Sequence, residues 1–68
     1  MKFDRERIDL IVGKVWRVLN DNRMLSIKDI QEKTNESKED ILLSIGWLIK
    51  EDKIDYEGKR SLKLFLKN

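Results

Sequence analysis

The sequence predicts a small α+β domain of three helices followed by a two-stranded hairpin, and three observations carry that expectation. Helical periodicity fills Phe3 to Leu19 and Ser37 to Lys53. Between them lies a short segment opened by Ser26-Ile27-Lys28-Asp29, a Ser-x-x-Asp capping signature. Behind the last helix, two stretches alternate with period two around Gly58.

The first helix places Ile8, Ile11, Val12, Val15, Val18 and Leu19 on one face, with Asp4 as its cap. Trp16 borders that stripe and Leu10 lies well off it. Gly13 in mid-helix costs about 1 kcal/mol relative to alanine. Asn20-Asp21-Asn22 should stop the helix, and Met24-Leu25 has the makings of a very short strand.

The capped segment after Ser26 reads as a short helix to about Lys33, with Leu25, Ile27 and Ile30 available for burial. Thr34-Asn35-Glu36 is the connector that follows, because asparagine readily takes the left-handed conformation that ends a helix. Asn35-Glu36-Ser37 also fits a glycosylation pattern, here read as a turn running into a cap. A short helix, a three-residue turn and a longer helix make a helix-turn-helix.

The third helix starts at Ser37, with Asp40 placed to return a bond to the cap. Ile41, Ile45, Leu48 and Ile49 share one face, with Leu42 at its margin. On the opposite face Leu43 and Trp47 stand one turn apart beside Gly46, with Glu39 and Asp40 at one end and Lys50 at the other. Ile54-Asp55-Tyr56-Glu57 then alternates, Gly58-Lys59-Arg60 turns, and Ser61 to Lys67 alternates again with Leu62, Leu64 and Leu66 on one face. A period-two hairpin directly behind a helix-turn-helix is a wing, so the order of elements is that of a winged helix.

At these residues the chain resembles a known group. KVWRVLNDN, LSIKDIQEKTNES and IGWLIKEDKI are similar to segments of the small stand-alone winged helix-turn-helix proteins of bacteria and archaea whose domain has no assigned function. The resemblance covers nearly the whole chain, and Gly46-Trp47-Leu48 is its most specific piece. It implies the fold and a link to transcription-regulator architecture. It carries over no catalytic or base-reading residue, because the family motif specifies none.

Composition narrows the function classes. Sixty-eight residues are read as one domain, residues 1–68, too small to enclose a catalytic cleft in its core. The chain has no Cys and no His, which removes disulfides, thiolate and imidazole chemistry and the usual zinc sites. No glycine-rich phosphate loop or nucleophile elbow occurs, and the adjacent carboxylates Glu39-Asp40 and Glu51-Asp52 diverge on a helix. The expectation is a non-enzymatic, cytoplasmic binding module with no cofactor, no metal, no small-molecule substrate and no membrane span.

Net charge is only +2, too little to mark a nucleic-acid binder by itself. Residues 53–68 hold five basic and two acidic groups, whereas residues 23–52 hold five and seven. The third helix, where a DNA reader needs Arg, Lys, Asn or Gln near its start, offers Lys38, Glu39, Asp40, Leu42 or Leu43, and Gly46. From Ser37 to Asp52 four acidic side chains face two basic ones, so phosphates would repel that helix. DNA contact is therefore expected, if anywhere, at the backbone: Lys59 and Arg60 at the wing tip, Lys63 and Lys67 along its last strand, with Lys28 and Lys38. The competing explanation is that these lysines keep a hairpin soluble and protect an edge strand.

Two explanations likewise compete for Trp47. It either folds onto the first helix and the arm around Phe3, or joins Leu43 in an interface. In the second case a homodimer forms with the third helices antiparallel, close at Gly46, Leu43 meeting the Gly46-Trp47 region and Glu39 or Asp40 opposite Lys50 of the other subunit. Burying roughly 300 Å² of apolar surface per chain gains roughly 15 kcal/mol at about 25 cal/mol per Å². Association costs of about 4–15 kcal/mol leave a micromolar dimer. Another protein is the remaining alternative for that face.

Overall fold

The computed structural model describes residues 5–58 and 60–67. Its elements are α1 (Arg5–Asp21), β1 (Leu25–Ser26), α2 (Ile27–Thr34), α3 (Lys38–Lys50), β2 (Ile54–Glu57) and β3 (Lys63–Leu66). The three strands form an antiparallel sheet in the order β1-β3-β2. This is the winged helix the sequence predicts, with the short strand before α2 displaced by one residue, from Met24-Leu25 to Leu25-Ser26.

Among the described residues, ten apolar side chains make the core. Ile11, Val15 and Leu19 come from α1, Leu25 from β1, Ile30 from α2, Ile41, Ile45 and Leu48 from α3, and Ile54 and Leu64 from the wing. Ser44 is fully buried among them, its hydroxyl donating to the Asp40 carbonyl at 2.9 Å, and the buried Thr34 hydroxyl donates to the Ile30 carbonyl at 2.7 Å. These back-bonds leave no buried side-chain polar atom unpartnered among the described residues.

Local chemistry sets the helix limits. α1 runs to Asp21, two residues past the predicted end, and Asn22 Nδ2 closes it on the Val18 carbonyl at 2.7 Å. Its predicted start at Phe3 and cap Asp4 lie outside the described residues. α2 has a complete capping box. Asp29 N–H donates to Ser26 Oγ at 3.1 Å, and Ser26 N–H donates to Asp29 Oδ2 at 3.2 Å. Asn35 ends α2 in the left-handed conformation, φ 58°, with its N–H on the Gln31 carbonyl.

α3 departs from expectation in three places. Ser37 Oγ accepts from Asp40 N–H at 3.2 Å, but the Asp40 carboxylate takes Arg7 Nη2 at 3.0 Å, so the reciprocal bond to the cap is replaced by an ion pair to α1. The buried face is Ile41, Ser44, Ile45 and Leu48, whereas Ile49 is exposed. The core arc is narrower than the apolar stripe, and Ser44 fills the edge opposite Ile49. The helix also ends at Lys50 rather than Lys53, because Asp52 turns left-handed (φ 60°) while Lys53 N–H reaches the Leu48 carbonyl and Asp52 N–H that of Ile49. That pair of bonds is a Schellman closure.

The wing pairs Ile54 with Leu66, Asp55 with Phe65, Tyr56 with Leu64 and Glu57 with Lys63. The predicted second strand, Ser61 to Lys67, is shorter than expected, and Leu62 sits exposed in the loop rather than on the core face with Leu64. Gly58, at φ 115°, opens that loop, and a Cβ there would stand 2.1 Å from the Ser61 carbonyl oxygen. The backbone therefore leaves strand geometry on both sides of the tip.

Candidate functional site

α1 and α3 form the largest helix pairing of the fold, and their crossing leaves an apolar groove of about 600 Å³. Leu42, Leu43, Gly46, Trp47 and Lys50 line it from α3, and Arg5, Ile8 and Asp9 from α1. Leu42 is 43% exposed, Leu43 37% and Trp47 43%. The indole is therefore half covered by its own chain and absent from the buried core. Gly46 is an exposed part of its lining, and a Cβ built there meets nothing within 4 Å among the described residues. Of the interface residues read from the sequence, Leu43, Gly46, Trp47 and Lys50 share this groove, and Glu39 is exposed at the start of α3.

Salt bridges join α1 to the turn before α3 and to its start, with Arg7, Lys14 and Glu36 lining a different groove. Arg7 Nη2 lies 3.0 Å from Asp40 Oδ2 and 3.5 Å from Glu36 Oε1, and Lys14 Nζ lies 2.7 Å from Glu36 Oε2. They hold α1 across the turn that precedes α3. They also remove Asp40 from the two acids placed opposite Lys50 by the sequence reading, leaving Glu39.

The basic residues gather elsewhere. A second groove, of about 510 Å³, runs between α2, the start of α3 and the wing loop, lined by Lys28, Gln31, Lys38, Ser61 and Leu62 with Ser26 and Ile27. Lys28, Lys38 and Arg60 are exposed. Lys63 is half-buried and faces Asp29, whose carboxyl is held below its ordinary pKa first by the Ser26 N–H, then by the Ser26 hydroxyl, with Lys63 and Lys33 contributing charge. Lys67 is engaged: its ammonium pairs with Asp52, which raises its pKa through that hydrogen bond and the attending charge. It is thus not an open phosphate ligand. Lys59 lies outside the described residues.

The sequence reading offers the first helix as one surface for Trp47 but does not name Arg5, Ile8 and Asp9 as the α1 wall of the groove. Which turn of α1 meets α3 depends on the crossing of two helices far apart in sequence, and periodicity within either helix holds no signal of it. Among the described residues no cluster of acidic side chains could hold a metal ion, and no helix is long and apolar enough to cross a membrane.

Comparison with known proteins agrees with this geometry. The signature of a winged helix-turn-helix domain family, DUF2582, matches residues 3–68. A protein from Bacteroides thetaiotaomicron, known by solution NMR, is 32% identical, with a TM-score of 0.83 over 96% of this chain and 80% of that one. A HOP2 structure, described for its DNA recognition and protein interaction domains and for homologous DNA pairing, has a TM-score of 0.71 at 22% identity over 84% of this chain and 98% of that one. At that identity it bears on the fold alone. No protein of curated function matches the chain.

Proposed function

This chain belongs to the DUF2582 family of winged helix-turn-helix domains, and from that premise we propose that it is a non-enzymatic binding module, homodimeric through α3, that contacts DNA only at the backbone and serves in transcription or DNA-associated regulation. The observation that carries the reading is the groove at Gly46. The helix that a DNA-reading winged helix lays in the major groove here exposes Leu42, Leu43 and Trp47. Desolvating these against polypeptide is favourable, whereas against a phosphate-lined groove it yields little.

Trp47 and Leu43 are each more than half covered within the chain, so they bring less new area to a contact than fully open side chains would. Leu42, exposed in the same groove, adds to the apolar surface. Interfaces of this size bind modestly. Light scattering across a concentration series tests the association directly.

DNA contact falls to the second groove. Lys28, Lys38 and Arg60 stand exposed on α2, α3 and the wing, and none of them lines the groove over Gly46. Few phosphate contacts per copy give weak, salt-sensitive binding, which two linked copies strengthen. The competing function, a protein-binding module without DNA, is favoured by the pairing of Lys67 with Asp52. Loss or persistence of duplex binding in charge-reversal variants of Lys38 and Arg60 separates the two.

A further inference from the structure

Resting on the homodimer reading, we propose that Gly46 is the specificity residue of the contact, its missing side chain forming a hole that receives Leu43 of a second copy. Leu43, Gly46, Trp47 and Lys50 stand at positions i, i+3, i+4 and i+7 of α3 and all line the groove. Four residues at that spacing surround a hole of the kind that takes one side chain from a facing helix. With glycine at one corner the hole is deep.

No described residue accounts for the glycine. A Cβ at Gly46 would meet no atom within 4 Å, and the residue is helical with no positive φ. Alanine is the better helix former at such a site, and a second copy that uses the space is a reason for glycine that the spacing of the surrounding residues supports. The second copy is the occupant that the surface itself describes. A two-fold axis through the face, near the level of Ser44 and Ile45, sets Leu43 of each copy over Gly46 of the other and Trp47 of each against the other's Leu43. The same operation brings Glu39 opposite Lys50, both exposed and unlike in charge. Knob, hole and rim charges all come from one helix.

Gly13 is the control. A Cβ there also meets nothing within 4 Å, but the groove beside it holds Leu10 among Arg7, Lys14 and Arg17, without an aromatic wall. Its lining carries the charges of Arg7, Asp9, Lys14, Arg17 and Glu36, which a second copy would have to desolvate to bind there.

Sedimentation equilibrium on the wild type, Gly46→Ala, Gly46→Gln, Gly13→Ala and Trp47→Ala, with a thermal melt of each, tests the assignment. Gly46→Ala should melt no lower than wild type at dilutions where both are monomeric, yet dimerise at least tenfold more weakly. Gly46→Gln should stay monomeric, and Gly13→Ala should associate like the wild type. Wild-type association in both Gly46 variants beside a monomeric Trp47→Ala would leave the homodimer standing and overturn the hole. Dissociation by Gly13→Ala instead would move the contact to α1 and overturn it as well. A wild type monomeric at every concentration would remove the homodimer reading, and this inference with it.

Discussion

Arg7 Nη2 donates to Asp40 Oδ2 at 3.0 Å across thirty-three positions of sequence, and the same guanidinium lies 3.5 Å from Glu36. The pair joins the first described turn of α1 to the first turn of α3. It ties the two helices together and gives the Asp40 carboxylate a partner other than its cap. Glu36, shared between Arg7 and Lys14, is the centre of the arrangement.

Glu36→Gln should therefore lower stability by about 0.5–1 kcal/mol, the range of an exposed network rather than a buried pair. Urea melts at low and high salt check it. The deficit should shrink as ionic strength rises.

The capping box at α2 gives a pH prediction. Asp29 titrates below its ordinary value because the folded chain hydrogen-bonds its carboxylate. A depressed folded pKa means that its stabilisation is present above the unfolded value, near 3.8, and is lost as pH falls through the folded value. Asp29→Asn should flatten the loss of stability on acidification in that window, followed by acid titration under mild urea. Ser26→Ala, which removes the other half of the box, should cost about 1 kcal/mol at neutral pH.

Gly58→Ala should destabilise the wing, because φ 115° and a 2.1 Å approach to the Ser61 carbonyl leave no room for a Cβ. A cost of about 1–3 kcal/mol is expected. Amide exchange should quicken in β2 and β3 first, since α1 and α2 do not depend on that turn.

For DNA, Lys38→Glu with Arg60→Glu should abolish whatever duplex binding the wild type shows by fluorescence anisotropy at low salt, and wild-type binding should fall steeply as salt rises. Binding that survives the double variant would place the contact elsewhere.

The elements were legible in the sequence because their signals are local. Ser26 with Asp29 marked α2, Asn35 marked its end, and the Ile41-Ile45-Leu48 spacing marked the buried face of α3. Ile49 and Leu62 were misplaced because both continue an apolar pattern past the point where the core stops: Ile49 at the edge of an arc that Ser44 closes, Leu62 beyond a loop that Gly58 opens. Asp40 was read as a cap partner and is an ion-pair partner, since Arg7 reaches it only once α1 is packed. Half of the apolar groove was visible as the Leu43 and Trp47 face. Its α1 wall, and the grouping of Lys28 and Lys38 with the wing loop, exist only in three dimensions.

The most direct test of the account is the mass of the wild type and of Leu43→Lys by sedimentation equilibrium, from micromolar to millimolar concentration. The wild type should climb from the 8.2 kDa of one chain towards twice that mass, while folded Leu43→Lys remains at the mass of one chain. A wild type that holds the single-chain mass throughout, or a variant that climbs with it, would contradict the claim that α3 meets a second copy.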